Sequence, residues 1–344
     1  MKQLKELVRE NIWKLKPYSC ARDEFKGEAK AYLDANENPF NTLYNRYPDP
    51  LQWAVKEKIA ELKYVKPSQI MLGVGSDEPI DLIFRVFCEP KTDNVVAINP
   101  TYGMYGVCAD INNVEYRQVS LEADYSLNAE KVLAAVDNNT KVIFLCSPNN
   151  PTGNLLNTTE VEKILKGFDG IVVIDEAYID FSDKASWISK LSKYPQMVIL
   201  QTFSKAWGLA AARCGMAFAS EEIISFFNKV KYPYNINILT QKLILEKLEQ
   251  VEIKNNWVKE ILSQRTLMIE ELEQLSIVKH IYPSDANFIL VKVDDANLRY
   301  KELVEKGIIV RNRNSVTLCE NCLRITIGTA QDNKELLNAL KSLA

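Results

Sequence analysis

Residues 200–215 read LQTFSKAWGLAAARCG. The stretch begins like a buried strand, turns polar at Thr202, Ser204 and Lys205, and then runs small and apolar as far as Arg213. Ammonium groups are rarely buried without a partner, and a lysine between an apolar strand and what reads as an Ala-rich helix start has little structural work to do. A lysine whose pKa is lowered by burial or by neighbouring cations is instead a nucleophilic amine, able to bond to a carbonyl carbon.

On either side of this stretch, from about residue 69, short β-branched runs alternate with amphipathic ones. That is the signature of βαβ units around a largely parallel sheet. QIMLGV (69–74), NVVAINP (94–100), KVIFLCSP (141–148), GIVVIDEAY (170–178), MVILQTFS (197–204) and GMAFAS (215–220) are apolar on both faces and stop at polar or turn residues, as buried parallel strands do. After Asn235 come long charged helices through about Leu275, then ANFILVKV, GIIVRN and CLRITIGT with helices between them and at the end. This second part reads as a smaller α+β domain. No repeat, low-complexity segment or Gly/Ser linker intervenes, which predicts that the domains share a rigid long helix. The expected division is an N-terminal arm (1–30), a large α/β domain (31–245) and a small domain (246–344).

Composition narrows the function classes. The 344 residues, 47% of them apolar, fit a large globular core and two domains better than one. No apolar run approaches the roughly eighteen residues of a membrane span, and the N-terminus MKQLKELVRENIWKLKPY alternates charged with apolar residues instead of offering a signal-peptide core. Seven scattered cysteines (Cys20, Cys88, Cys108, Cys146, Cys214, Cys319, Cys322) do not form a secreted disulfide framework. Both observations predict a cytoplasmic protein. With 42 basic and 45 acidic residues interspersed and a net charge of -3, the chain has no basic stripe for a nucleic acid.

Ligands in open α/β sheets sit beyond the carboxyl ends of the strands, and four strand ends here carry chemistry. In GVGSDEPIDLIF, Gly73 and Gly75 free the backbone while Ser76 and Asp77 open a helix whose first N–H groups suit a phosphate. A simple helix cap by Ser76 is the plainer alternative. A dinucleotide fingerprint is excluded, because Glu78 stands where the third glycine of GxGxxG belongs. SPNNPTGN, Ser147–Asn154, is a turn-forming cluster directly after an apolar strand. In IDEAYIDF, Asp175 ends a run of Val and Ile, where an unpaired carboxylate is costly, so it needs a cationic partner. Tyr178, three residues on, reaches the same pocket or simply packs. The fourth end holds Lys205 and Arg213.

Each feature alone has a structural explanation; together on one sheet they meet the needs of pyridoxal 5'-phosphate (PLP). Its aldehyde needs a lysine, its phosphate helix-terminal N–H groups and an arginine, and its ring nitrogen a carboxylate that keeps it protonated. Lys205, Ser76 with Asp77, Arg213 and Asp175 offer those groups.

The motifs NNPTGN, DEAY and SKAWGLAAAR resemble those of the fold-type I, class I/II aminotransferases over nearly the whole chain. LKPYSCAR, LDANENPF, RYPDP, GSDE, PTYGMY and CLRITIGT resemble, within them, the histidinol-phosphate aminotransferase group. The resemblance implies a large domain with a mostly parallel seven-stranded sheet flanked by helices, plus a smaller α+β domain. It also implies that Lys205 bonds the cofactor aldehyde, Asp175 pairs with the ring nitrogen, Asn150 and Tyr178 bond the ring oxygen, and Tyr102 stacks on the ring. Ser76, Asp77, Thr202, Ser204 and Arg213 would surround the cofactor phosphate, although the Thr202 and Ser204 hydroxyls serve equally as helix caps. Tyr47 would reach that phosphate from a partner subunit, which implies a homodimer with shared sites. For substrates, Arg324 matches the arginine that grips the carboxylate of glutamate or 2-oxoglutarate. Arg311 and Tyr18 would take the substrate phosphate, and Asn36 would lie near the substrate amine. Arg311 is preferred to Arg313 because it directly ends the apolar run GIIV.

The implied activity moves an amino group between histidinol phosphate and 2-oxoglutarate in histidine biosynthesis, with Lys205 as general base. An aromatic amino acid aminotransferase or a threonine-phosphate decarboxylase would share the fold and cofactor. A non-catalytic PLP-binding protein would be free to lose Lys205, Asp175, Tyr178, Arg213 or Arg324, all of which are intact. No metal is expected: CENC (319–322) has half a zinc spacing without a second pair, and the single histidine, His280, lies in another segment. No GxSxG elbow supports Ser/His/Asp hydrolysis.

Overall fold

A computed structural model describes residues 2–18 and 29–343. The later part of the expected N-terminal arm, with Cys20, lies outside the described residues. Two short helical turns, Leu4–Leu7 and Glu10–Lys14, lead in, and Leu7, Val8 and Ile12 pack onto the main core.

The first sheet has seven strands in the order β1-β7-β6-β5-β4-β2-β3. They are β1 (Ile70–Val74), β2 (Asn94–Asn99), β3 (Glu115–Ser120), β4 (Thr140–Cys146), β5 (Ile171–Asp175), β6 (Met197–Thr202) and β7 (Cys214–Phe218). Side chains alternate across a strand and both faces of this sheet are covered, which is why every strand but the edge strand β3 is largely apolar. Val172 and Ile174 enter the core on one face, and Ile171 and Val173 the core on the other. The first face is covered by α1 (Trp53–Lys63) and by α4 (Thr158–Gly167) through Val161, Ile164 and Leu165. Against the second lie α2 (Asp77–Phe87), α3 (Met104–Asn112) and α5 (Glu221–Val230).

Two features depart from the sequence-based expectation. GMAFAS is not a parallel strand: β7 runs antiparallel to both β1 and β6. The residues after Lys205 are not a helix start either; they form turns and one 3-10 turn, Ala210–Ala212. The two corrections have one cause. A reversed β7 is reached by a short link at the end where β6 stops, so no crossover helix is needed. That link carries Lys205 and Arg213. In addition, β3 (EYRQVS) is an edge strand, half-exposed along its length, and its polar sequence does not announce it.

Helices α6 (Ile238–Leu248) and α7 (Val251–Leu272) lead to the second sheet, whose order is β10-β11-β9-β8. Its strands β8 (Val278–Ile281), β9 (Phe288–Val293), β10 (Arg311–Asn312) and β11 (Cys322–Thr326) are antiparallel. Strand β8 was not expected; half-exposed VKHI lacks an apolar run, and His280 sits on this edge strand. Helices α8 (Ala296–Glu305) and α9 (Ala330–Lys341) complete the unit, whose core includes Met268, Leu272, Ile289, Val291, Leu323 and Leu336. Among the described residues no helix is long and apolar enough to cross a membrane.

One core residue carries a stability prediction. Lys56 on α1 is 1% exposed. Burial, reinforced by the charge of Lys231 and opposed by Asp49, pushes its pKa down to about 8. Between that value and the ordinary lysine range the folded state holds fewer protons than the unfolded one, so stability rises with pH across that window. Lys56→Met is expected to raise stability at pH 7 by up to about 3 kcal/mol, an advantage that shrinks towards pH 10. Urea midpoints of both proteins across pH 7–10 measure this; a pH-independent difference would contradict it.

Candidate active site

Strands β4, β5 and β6 are parallel, and β1, paired like β6 against the reversed β7, points the same way. Their carboxyl ends therefore meet at one edge of the sheet. One cleft at that edge is lined by ten of the sequence-predicted residues: Ser76, Asp77, Tyr102, Asn150, Asp175, Tyr178, Thr202, Ser204, Lys205 and Arg213.

Asp175 ends β5 and is fully buried. Burial raises its pKa, and the hydroxyl of Tyr105 and the Ala177 N–H oppose that rise. Tyr105 donates to Oδ2 at 2.7 Å and Ala177 N–H to Oδ1 at 3.1 Å. Among the described residues no lysine or arginine forms a salt bridge with Asp175, so a carboxylate expected to have a cationic partner has only neutral donors. Tyr105 was missed by sequence reasoning. It lies one helical turn after Tyr102 in PTYGMY, and that spacing was the available signal.

Lys205 projects from the β6–β7 link with Nζ 5.4 Å from the centre of the Tyr178 ring. Burial lowers its pKa, Arg324 and Arg213 lower it further, and Asp175 and Asp77 oppose them. This is the direction that frees a lysine amine for nucleophilic and base chemistry at neutral pH. Thr202 Oγ1 donates to Ser204 Oγ at 3.0 Å and receives the Ser204 N–H at 3.1 Å, which shapes the turn into Lys205.

The phosphate-sized corner lies at the start of α2. Ser76 holds the N-cap position but makes no side-chain cap, which removes the plainer reading of that serine. The first-turn N–H groups of a helix have no intrahelical partners, and Pro79 contributes none. Gly75 has φ +68°, and a Cβ there would meet Arg213 Nη2 at 2.7 Å. A Cβ on Gly215 would lie 2.4 Å from the Gly75–Ser76 peptide. Backbone and guanidinium can approach this closely only because both positions are glycine. Arg213 Nη2 contacts Asp77 Oδ2 at 3.3 Å, and Tyr102 donates to Asp77 Oδ1 at 3.0 Å.

These residues fit PLP. A buried carboxylate without a cationic partner matches a protonated ring nitrogen, an amine with lowered pKa matches an aldehyde, and a helix start beside an arginine matches a phosphate.

Arg324 on β11 reaches the cleft from the second sheet: Nη1 donates to Asn150 Oδ1, and Cζ lies 5.2 Å from the Phe288 ring centre. Arg311 is opposite Arg324 in the ribbon and is exposed, and the two arginines line one groove along α9. Asn36 and Tyr47 line another groove with Tyr44 and Tyr234, and Tyr18 is 72% exposed. Within one chain these three are not brought to Lys205. Cys319 and Cys322 are buried, with Cys319 Sγ 3.6 Å from the Tyr125 hydroxyl.

Comparison with known proteins agrees with this geometry. The chain is 58% identical to the histidinol-phosphate aminotransferase of Bacteroides thetaiotaomicron over 99% of both chains. It is 57% identical to that of Parabacteroides distasonis over 100% of this chain and 99% of the relative. The histidinol-phosphate aminotransferase of Sinorhizobium meliloti, solved in complex with pyridoxal-5'-phosphate, superposes with a TM-score of 0.79 at 22% identity, covering 87% of this chain and 84% of that one. The pattern of the family "Aminotransferase class I and II" matches residues 24–340, and the chain belongs to that family.

Proposed function

We propose that this chain is a PLP-dependent histidinol-phosphate aminotransferase. It interconverts L-histidinol phosphate and 2-oxoglutarate with imidazole acetol phosphate and L-glutamate, a step of histidine biosynthesis. The observation that carries this reading is the one cleft that gathers Lys205, buried Asp175, Asn150, Tyr178 and Arg213, with the Arg324 guanidinium donating to Asn150. High identity to relatives of that name along the full chain supports it.

PLP supplies an aldehyde that bonds amines and a protonated ring that delocalises the charge left when the neighbouring carbon loses a proton. In this reading Asp175 holds the proton at the ring nitrogen, and Tyr105 and the Ala177 N–H fix its orientation. Asn150 and Tyr178 face the ring oxygen and Tyr102 the ring. Arg213, Thr202, Ser204 and the N–H groups of Ser76 and Asp77 hold the phosphate. Lys205 Nζ accepts the proton from the amine-bearing carbon of the substrate and holds it for return. Arg324 orients the anionic end of either substrate.

The chain acts as a homodimer in this proposal. Leu33, Phe40, Leu43, Tyr44 and Tyr47 are exposed along one segment, a run of apolar surface suited to cover by a second copy. Tyr47 and Asn36 on that segment would then serve the partner's site. The six described cysteines are free and buried, which supports a reducing compartment, the cytoplasm.

Expression in a bacterium that cannot make histidine for want of this step tests the activity. Growth without histidine is expected; no growth despite soluble, PLP-loaded protein would contradict the reading.

A further inference from the structure

We propose that Glu78 and Asn235 are positioning residues for the cofactor phosphate, clamping the free edge of β1 where it turns into α2. This rests on the functional reading above. It gives a role to the residue that stands where a dinucleotide fingerprint would have its third glycine.

The need for a clamp follows from topology. The phosphate corner begins where β1 ends, and β1 is the outermost strand of its sheet, paired only with β7. Just past the strand, the Gly75 N–H donates inward to the Arg213 carbonyl at 3.0 Å. Successive backbone groups alternate between the two edges of a strand, so the Leu72 carbonyl and the Val74 N–H face the open one. No strand of the sheet lies on that side.

Two side chains stand in for the missing strand. Glu78 Oε2 accepts the Val74 N–H at 2.6 Å. Asn235 Nδ2 donates to the same Oε2 at 2.9 Å and to the Leu72 carbonyl at 2.9 Å. A Cβ on Gly73 would meet Pro79 Cδ at 2.5 Å and Glu78 Cβ at 3.2 Å, so the first turn of α2 lies directly against β1. Asn235 is itself fixed. Its Oδ1 accepts Lys231 Nζ at 3.1 Å and Gln52 Nε2 at 3.3 Å, and both of those groups also donate to the Pro50 carbonyl, at 2.7 and 2.8 Å. Both N–H groups and both lone pairs of the Asn235 amide are thereby used.

Burial does not demand this arrangement. Val74 is 43% exposed, so water could serve its N–H. A carboxylate near a phosphate is electrostatically adverse, and Glu78 receives its two hydrogen bonds from neutral donors. What the carboxylate supplies is placement. Val74 directly precedes Gly75, where the backbone meets the Arg213 guanidinium, and then Ser76 and Asp77. Drift of this edge carries the N–H groups of Ser76 and Asp77 off the phosphate, while Lys205, on the β6–β7 link, stays in place.

The test strips the full-length protein of cofactor and titrates it with PLP and, separately, with pyridoxal, which keeps the aldehyde and lacks the phosphate. Absorption of the bound cofactor reads both, for the parent, Glu78→Ala, Glu78→Gln and Asn235→Ala. Glu78→Ala is expected to lose roughly tenfold in PLP affinity, the scale of one hydrogen bond, with pyridoxal affinity changed by less than about threefold. Glu78→Gln keeps an oxygen that can accept both donors and removes the charge, so it should bind PLP at least as tightly as the parent. Asn235→Ala should lose at least as much PLP affinity as Glu78→Ala, because the link to Pro50 goes with it. Unchanged pyridoxal binding shows that either alanine variant is folded. PLP affinity equal to the parent's in either alanine variant would overturn the assignment. So would equal losses for PLP and pyridoxal, or a Glu78→Gln loss as large as that of Glu78→Ala. A parent that binds pyridoxal as tightly as PLP would instead overturn the phosphate corner itself, and with it the functional reading, before any substitution is made.

Discussion

Lys205→Ala is expected to abolish turnover, with kcat falling by at least about 10⁴-fold, because one side chain is both the amine that bonds the carbonyl and the base that moves the substrate proton. The loss should be confined to chemistry. Arg213 and the start of α2 do not depend on Lys205, so PLP should still bind, more weakly and exchangeably. Single-turnover assays with absorption before and after dialysis measure both. Retained turnover would refute the assignment of Lys205.

Asp175→Asn is expected to lower kcat by roughly 10²- to 10³-fold, the scale of removing one preorganised electrostatic contact from a reacting centre. Stability separates this from simple damage. Burial raises the Asp175 pKa, so the fold carries the cost of this carboxylate at every pH above the ordinary aspartate range. An amide oxygen can still accept the Tyr105 hydroxyl. The cofactor-free Asp175→Asn protein should therefore melt no lower than the parent at pH 7, despite its catalytic loss. A large drop in Tm with kcat unchanged would reverse the argument. Tyr105→Phe removes the bond to Oδ2 and should cost about tenfold in kcat, with a shifted pH profile as the mark of altered Asp175 charge.

Much of the site was legible because its residues stand where apolar runs stop. Asp175 ends a buried strand and Asn150 and Lys205 follow one, and a sheet whose strands end together must bring such residues together. The direction of β7 was not legible, because an antiparallel strand buried on both faces has the same composition as a parallel one. Edge strands β3 and β8 escaped for the opposite reason, since half-exposed strands need no apolar run. Arg311 follows the apolar run GIIV, and the ribbon sets it opposite Arg324 in one groove, a pairing across strands that the sequence alone does not display. Tyr105 belongs to the same class of miss: its partner is seventy residues away in sequence.

The central claim is that this cleft takes an amino group from histidinol phosphate and gives it to 2-oxoglutarate. Histidinol phosphate added alone to the PLP-loaded protein should shift the cofactor's absorption spectrum, and 2-oxoglutarate should then restore it. A spectrum unmoved by histidinol phosphate but shifted by phenylalanine or threonine phosphate would leave the fold and cofactor standing and contradict the substrate.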